Sequence, residues 1–104
     1  MVIAADSRKK INSVWIESAL DDLESALIWV SDYDPNAALK LDDEVAQVVS
    51  RLEKFPFSGR SGRVDGTREA IVGNYALVYR VAEEQIEILR FIHGAMQYPP
   101  SSLD

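Results

Sequence analysis

A single histidine, His93, is the side chain of this sequence best suited to acid–base chemistry. An imidazole exchanges a proton near neutral pH, so it could act as a general acid or base, or contact a partner at a sheet edge. The sequence places no catalytic partner beside it. A strand-end histidine that hydrogen-bonds the backbone near Asn74 is therefore the favoured interpretation.

Cationic chemistry would depend on arginines, which cluster only around Arg60, Arg63 and Arg68. Asp65 and Glu69 lie among them. The chain as a whole is acidic, with a net charge of −6, and its acidic residues are concentrated in the first half. Proteins that grip a phosphate backbone usually carry a clear basic excess. The charge pattern argues against a protein whose main role is to bind nucleic acid.

The remaining arginines have simple structural interpretations. Arg80 is predicted to face Glu87 across two strands, as an ion pair worth under about 1 kcal/mol if it is exposed. Arg68 and Arg90 are predicted to point toward an apolar sheet face. Each must reach the rim of that face or find a helix carboxylate, because an unpaired buried charge is very costly. Structural roles are thus favoured over catalysis.

Metal and phosphate motifs are not found. The chain has no cysteine, and so no disulfide framework or thiolate metal site. The acidic outer faces of the predicted helices, which include Asp22, lack a nearby histidine or a ligand loop and are interpreted as solvated surface. The glycine-punctuated loop from Ser58 to Arg63 lacks the Lys-Ser/Thr ending of a phosphate loop. No cofactor and no metal are expected.

Two helices are predicted in the first half. Ser18-x-x-Asp21 has the spacing of a capping box, and leucines recur behind it at helical spacing, which predicts a helix over residues 18–33. Asp34-Pro35 supplies an N-cap and a first-turn proline for a second helix, which ends near Phe55 because Pro56 follows. So short a link predicts an antiparallel helical hairpin.

Four strands are predicted: one over 11–16, before the helices, and a meander around 70–72, over 75–82 and over 86–93. Gly73-Asn74 suits a type II′ hairpin turn, and Glu83-Glu84 is a weaker turn. Pairing through these turns gives the sheet one larger apolar face, which should be buried. That face holds Ala70, Val72, Tyr75, Leu77, Tyr79, Val81, Ile86, Ile88 and Ile92. The other face holds Glu69, Ile71, Ala76, Val78, Arg80, Glu87, Leu89, Phe91 and His93.

The predicted fold is α+β, with the order β-α-α-β-β-β and a helical hairpin packed on a mostly antiparallel four-stranded sheet. Residues 1–104 form one domain, with 1–10 as a leader that frays and 100–104 as a tail. The apolar runs are short and there is no secretory signal, so a cytoplasmic protein without membrane contact is expected.

Five short motifs occur along residues 11–99 in a fixed order. They are Ala19-Leu20-x-Asp22-Leu23, Pro56-x-x-Gly59-Arg60, Gly66-Thr67-Arg68-Glu69, Tyr75-x-Leu77-Val78-Tyr79-Arg80-Val81 and Ile88-Leu89-Arg90-x-Ile92-His93-Gly94. Together they resemble the RelE/ParE superfamily, the toxins of bacterial toxin–antitoxin pairs. No single motif is specific; the ordered set is.

The resemblance implies one of two activities. RelE-like members cut mRNA in the ribosome, whereas ParE-like members inhibit DNA gyrase. RelE-like toxins place Lys and Arg at three positions that here read Thr67 and Glu69, Ala76, and Ala95-Met96. The missing cations favour a ParE-like gyrase inhibitor over an enzyme. Two alternatives stay open: an mRNA endonuclease that uses His93, Arg80 and Arg68, and a non-toxic relative that only binds antitoxin.

A cognate antitoxin is the partner that the resemblance implies, with a tail laid over the helices and sheet as a groove-bound helix or an added strand. Ile28, Trp29 and Phe57 are candidate anchors, because aromatic residues are enriched at binding hot spots; alternatively they complete the core. Arg60 and Arg63 are further candidates for contact with the antitoxin or the target.

Overall fold

A computed structural model describes residues 10–100. The elements in chain order are β1 (Asn12–Trp15), α1 (Glu17–Tyr33), α2 (Pro35–Lys54), β2 (Arg60–Ser61), β3 (Arg68–Val72), β4 (Tyr75–Ala82) and β5 (Gln85–His93). The predicted α+β fold and helical hairpin are confirmed, with one strand more than predicted. The predicted leader and tail lie outside the described residues, apart from Lys10 and Pro100.

The five strands form one sheet in the order β1-β5-β4-β3-β2. β1 runs parallel to β5, and the other neighbours are antiparallel, so the mostly antiparallel prediction is confirmed. The extra strand, β2, contributes only two pairs, Arg60 with Glu69 and Ser61 with Arg68. So short a strand in a glycine-punctuated loop carries no sequence periodicity by which to predict it. Neither described helix is long and apolar enough to cross a membrane.

One face of the sheet is covered by the helices, and the main core lies between these layers. Ala19 and Ala26 allow α1 to lie close to the sheet, while α2 contributes a stripe of larger side chains at helical spacing. The buried residues of this core are Ala19, Ala26, Leu41, Val45, Val48, Leu52, Ala70, Val72, Leu77, Tyr79, Ile86, Ile88 and Phe91. The opposite, outer face carries a smaller cluster of Ala76, Val78 and Ile92, against which Tyr98 packs.

The strand register departs from the prediction at one point in β5. Tyr79 pairs with Ile88 as predicted, but Val78 pairs with Arg90, so Leu89 is an extra residue and forms a β-bulge. Beyond the bulge the alternation of side chains is reversed. Phe91 therefore joins the helix-side core and Ile92 the outer cluster. His93 lies opposite Tyr75 and so on the helix side, and all three residues are opposite to their predicted faces. The predicted pairing of Leu77 with Arg90 was likewise wrong, since Leu77 lies opposite Phe91.

Of three predictions about turns and helix ends, two are confirmed and one was wrong. Val72 pairs with Tyr75 across Gly73, whose φ of +60° is the positive value expected at the first turn position. The Asp34 side chain accepts a hydrogen bond from the Asn36 backbone N–H at 3.0 Å, which confirms the N-cap of α2. The capping box at Ser18 was wrong: α1 begins at Glu17, and the Ser18 hydroxyl donates to the Leu89 carbonyl instead.

Candidate functional site

The outer face of the sheet ends in a shallow hollow of about 470 Å³ beside the β3–β4 turn, here called the outer concavity. Two arginines from the segment before β3 and the histidine at the end of β5 lie around a small apolar floor. Its lining residues are Arg60, Arg63, Ile71, Gly73, Asn74, Tyr75, Ala76, His93, Gly94 and Ala95. Three sequence-predicted candidates, Arg60, Arg63 and His93, thus meet at one place.

His93 is exposed at the end of β5 and lies opposite Tyr75 in the ladder, rather than opposite Asn74. Its Nδ1 accepts a hydrogen bond from the Ala95 backbone N–H at 3.1 Å, and its ring meets Tyr75 edge-on at 5.2 Å. With Nδ1 acting as an acceptor, the hydrogen-bond network assigns the proton of the neutral ring to Nε2. The turn after β5 thus fixes the orientation of the imidazole.

Glu69 is the buried charge of this region, with only 1% of its surface exposed. Its Oε1 accepts hydrogen bonds from Arg60 Nη2 at 3.0 Å and from Arg63 Nη2 at 3.1 Å. Its Oε2 accepts from Arg63 Nε at 3.1 Å and from the Arg63 backbone N–H at 3.0 Å. Burial alone would raise the pKa of Glu69, but the hydrogen bonds from Arg63 and Arg60 outweigh it and lower the pKa below its usual 4.5. Glu69 is therefore an ionised carboxylate that holds two guanidinium groups.

Arg68 and Tyr79 position the loop that carries these arginines. Arg68 Nη1 donates to the carbonyls of Phe57 and Gly59 at 3.1 and 2.8 Å. The Tyr79 hydroxyl donates to the Pro56 carbonyl at 2.7 Å and accepts from the Gly59 N–H at 3.0 Å, and burial raises the pKa of Tyr79. A Cβ at Gly59 would lie 2.5 Å from that hydroxyl, so only glycine fits.

Arg80 lies away from the outer concavity. Its Nε donates to Glu87 Oε1 at 2.6 Å in the predicted cross-strand pair. Along β4, the position opposite Arg68 is about 14 Å from the position opposite His93, and Arg80 is about 17 Å from it. The structure therefore does not bring His93, Arg80 and Arg68 together.

The three apolar candidates lie on separate surfaces, and all are well exposed: Ile28 at 57%, Trp29 at 60% and Phe57 at 65%. Ile28 lines a groove of about 660 Å³ on the helical hairpin, here called the helix groove. Trp29 lines a hollow between α1 and the edge of β5, together with Phe91 and Met96. Phe57 lies in the loop after α2, with the Arg68 guanidinium 5.1 Å from its ring centre.

Asp22 was misread as a solvated helix residue. It is half-buried at the β5 edge, where β1 no longer covers the strand. Its carboxylate accepts from Arg90 Nε at 2.7 Å and Nη2 at 3.1 Å, and from the Phe91 backbone N–H at 2.9 Å. The hydrogen bonds that Arg90 donates to Asp22 raise the pKa of Arg90. The prediction that Arg90 points to the helix-side face was wrong, because Arg90 lies opposite Val78 on the outer face. It does pair with a helix carboxylate, as predicted, and Asp22 also accepts from a backbone N–H at the strand edge that β1 leaves uncovered.

Comparison with known proteins identifies this architecture. Residues 14–98 match the family described as the ParE toxin of the type II toxin–antitoxin system, parDE. The chain belongs to the ParE toxin family. A Sinorhizobium fredii protein classed as a candidate toxin, Y4kP, is 34% identical to it over 95 residues, which cover 89% of this chain and 96% of that protein. Toxin RelE2 of Caulobacter vibrioides is 27% identical over 79% of this chain and 93% of that protein.

Solved structures share the toxin's fold. A chain from the chromosomal ParDE toxin–antitoxin system of P. aeruginosa superimposes with a TM-score of 0.72 at 23% identity, covering 82% of this chain and 97% of that chain. A chain from the RelBE2 toxin–antitoxin complex of Mycobacterium tuberculosis gives 0.57 at 24% identity, covering 81% and 98%. This ParE-family chain is thus a toxin of a type II toxin–antitoxin system, with the two-layer fold of the RelE/ParE superfamily.

Three of the motifs that carried the resemblance form the loop network of this toxin. Pro56 and Gly59 bond Tyr79, and Arg68 bonds the Gly59 carbonyl. Arg60 bonds Glu69, which also binds Arg63. Together these contacts hold the β2 loop against the sheet. Among the residues that the structure describes, no group of three His, Cys, Asp or Glu side chains could hold a metal ion.

Proposed function

We propose that this toxin inhibits bacterial growth through DNA gyrase, as a protein that binds its target rather than cutting RNA, and that a cognate antitoxin neutralises it. The observation that carries the proposal is the dispersal of the three residues predicted for a nuclease, His93, Arg80 and Arg68. RNA cleavage requires a base, an acid and cations within reach of one phosphodiester. Here Arg68 bonds loop carbonyls and Arg80 bonds Glu87, both far along β4 from His93.

The helix groove supports the antitoxin part of the proposal. Leu20, Ile28 and Leu39 are exposed along it, where a soluble monomer would normally bury large aliphatic side chains. Glu24, Asp32 and Asp42 line the same groove. Apolar anchors between carboxylates suit an amphipathic antitoxin helix with flanking Lys or Arg residues. The structural neighbours from ParDE and RelBE2 toxin–antitoxin systems agree with such a partner.

A second candidate function is ribosome-dependent mRNA cleavage. It is favoured by the lining of the outer concavity, which includes His93, Arg60 and Arg63, and by the similarity to toxin RelE2. In that case His93 Nε2 would be the proton-transferring atom, and Arg60 and Arg63, which line the same hollow, would be the cations. A third candidate, a non-toxic relative that only binds antitoxin, keeps the helix groove but has no target.

The deciding experiment is induced expression in a bacterial host without the antitoxin, with DNA breaks and transcript ends read from the same culture. We expect gyrase-dependent double-strand breaks and an SOS response, with intact transcripts. A His93→Gln variant should act like the wild type. Transcripts cut at ribosome-positioned sites, with cutting lost in His93→Gln, would overturn the proposal. Unimpaired growth with a folded protein would favour the non-toxic binder.

A further inference from the structure

The last part of β5, residues 89–93 and here called the β5 edge, is covered by side chains of α1 instead of by a strand. β1 pairs only with the residues of β5 that precede it. Among the residues that the structure describes, no other strand pairs with it on the side away from β4. The Ser18 hydroxyl donates to the Leu89 carbonyl at 3.2 Å, and the Asp22 carboxylate accepts from the Phe91 N–H at 2.9 Å.

The spacing of the two α1 side chains matches the spacing of the backbone groups that they bond. Ser18 and Asp22 are one helical turn apart, so they lie on the same side of α1 and about 6 Å apart along its axis. Two residues of a strand span nearly the same length, about 6.7 Å. One side of α1 can therefore meet successive outward-facing groups of the β5 edge. The series ends one turn later, because Ala26 has no polar side-chain atom.

Arg90 holds the Asp22 carboxylate in this position. Its Nε and Nη2 donate to the two carboxylate oxygens at 2.7 and 3.1 Å, and this two-point contact fixes the plane of the carboxylate. The oxygen that Nε contacts also accepts from the Phe91 N–H. Hydrogen bonds to charged groups contribute more than those between neutral groups. Asp22 is therefore a strong substitute for the carbonyl of a pairing strand.

Phe91 directs both of its backbone polar groups to the β5 edge. Because its N–H points away from β4, it forms a non-hydrogen-bonded pair with Leu77, and its carbonyl faces the same way as its N–H. A second copy that met this edge antiparallel, about a twofold axis, could exchange both hydrogen bonds at Phe91. The exposed side chains of Trp29 and Met96 line the adjoining hollow, so this pairing would also bury apolar surface. Asp22 occupies the acceptor position that the second copy would need.

We propose that Asp22 is an edge-blocking residue, whose carboxylate prevents two copies of the toxin from joining their sheets through the β5 edge. Unpaired strand edges are ready templates for another chain, and charged side chains are one means of blocking them. The net charge of −6 on each copy opposes association further. The inference does not depend on the target of the toxin.

The test compares two substitutions of Asp22. Asp22→Ala removes the acceptor, whereas Asp22→Asn removes the charge but keeps an oxygen that can accept from the Phe91 N–H. In Asp22→Ala, the Phe91 amide should exchange with solvent at least about 10-fold faster, relative to the Leu77 amide, by NMR. Asp22→Ala should also dimerise in sedimentation experiments, at concentrations at which the wild type is a monomer. Asp22→Asn should resemble the wild type in both measurements.

Asp21→Ala is the matched control, because it makes the same change in net charge at the exposed neighbouring position of α1. It should leave the Phe91 exchange rate and the sedimenting mass unchanged. Adding Ser25→Lys to Asp22→Ala places a cation in the hollow of each copy and should restore the monomer. A folded Asp22→Ala that stays monomeric, equal dimerisation of Asp21→Ala, or dimers that persist with Ser25→Lys would each overturn the inference.

A double variant keeps the test decisive if Asp22→Ala does not fold. Asp22→Ala with Arg90→Gln leaves no unpaired cation at the β5 edge and has the same net charge as the wild type. Faster Phe91 exchange together with dimerisation is again expected, and a loss of overall charge repulsion would not explain it. A Phe91 amide that is as unprotected in the wild type as in this variant would contradict the inference.

Discussion

The helix groove and the outer concavity differ in the side chains that line them and in whether those side chains already have partners within the protein. In the helix groove, Leu20, Ile28 and Leu39 are exposed to water, so a partner that covers them gains hydrophobic free energy. In the outer concavity, Arg60 and Arg63 already bond the buried Glu69. A partner protein therefore has more free energy to gain by covering the exposed apolar side chains of the helix groove than by binding the arginines of the outer concavity.

The largest effect should come from removing the internal partner of the outer concavity. Glu69→Ala removes the hydrogen bonds that tie Arg60 and Arg63 to β3 and leaves a space in place of a buried side chain. It should lower the free energy of unfolding by about 2–4 kcal/mol, measured by urea denaturation. Ile71→Ala, on the exposed side of the same strand, is the control and should change it little. A loss under ~1 kcal/mol would show that the cluster is not a stabilising element.

The same ion cluster should give the toxin a defined acid response. The folded-state pKa of Glu69 is below 4.5, so its stabilisation is complete above that pH and is lost as the pH falls through the lower folded pKa. The stability difference between the wild type and Glu69→Gln should therefore shrink in acid below pH 4.5. A difference that stays constant from neutral pH down through that range would contradict the assignment.

A charged side chain introduced into the helix groove should weaken antitoxin binding without changing the stability of the fold. Ile28→Asp places a charge on an exposed apolar site among carboxylates and should weaken antitoxin binding by about 2–3 kcal/mol, or roughly 100-fold in Kd, by calorimetry. Ile71→Asp makes the same kind of change on the outer face, where Ile71 is also exposed. If the two variants bind antitoxin equally, the groove is not its docking surface.

Trp29 tests whether the antitoxin extends beyond the groove. It lies on α1 but lines the hollow beside the β5 edge, and more than half of its surface is exposed. Trp29→Ala should weaken antitoxin binding by about 1–2 kcal/mol without unfolding the toxin. An unchanged dissociation constant would confine the antitoxin to the helix groove.

The smallest effect concerns a turn that belongs to neither surface. Glu83 has a φ of +55°, a conformation that glycine adopts without steric cost. Glu83→Gly should therefore raise the free energy of unfolding by up to about 1 kcal/mol, with antitoxin binding unchanged. A lower melting temperature would mean that the Glu83 side chain stabilises the turn by more than its backbone strain costs.

Local features of the sequence determined the elements of this protein. The Asp34-Pro35 start of α2, the Gly73 turn and the facing of Arg80 and Glu87 depend on residues close along the chain or on one short hairpin, and all were predicted. The fold class followed from the order of these elements. Among the site residues, the placement of Arg60, Arg63 and His93 around one hollow could not be predicted, because it needs the β2 loop to return to the sheet.

Tertiary structure alone decided the rest. The bulge at Leu89 reverses the faces of Phe91 and Ile92, because a single extra residue shifts a pattern whose period is two. β1 pairs with β5 only as far as Ile88, so the exposed strand edge beyond it recruits Asp22 from α1. Glu69 became a buried counter-charge only when the β2 loop brought both arginines to it. Side-chain patterns specify local structure, whereas the partners of charged groups depend on contacts between distant segments.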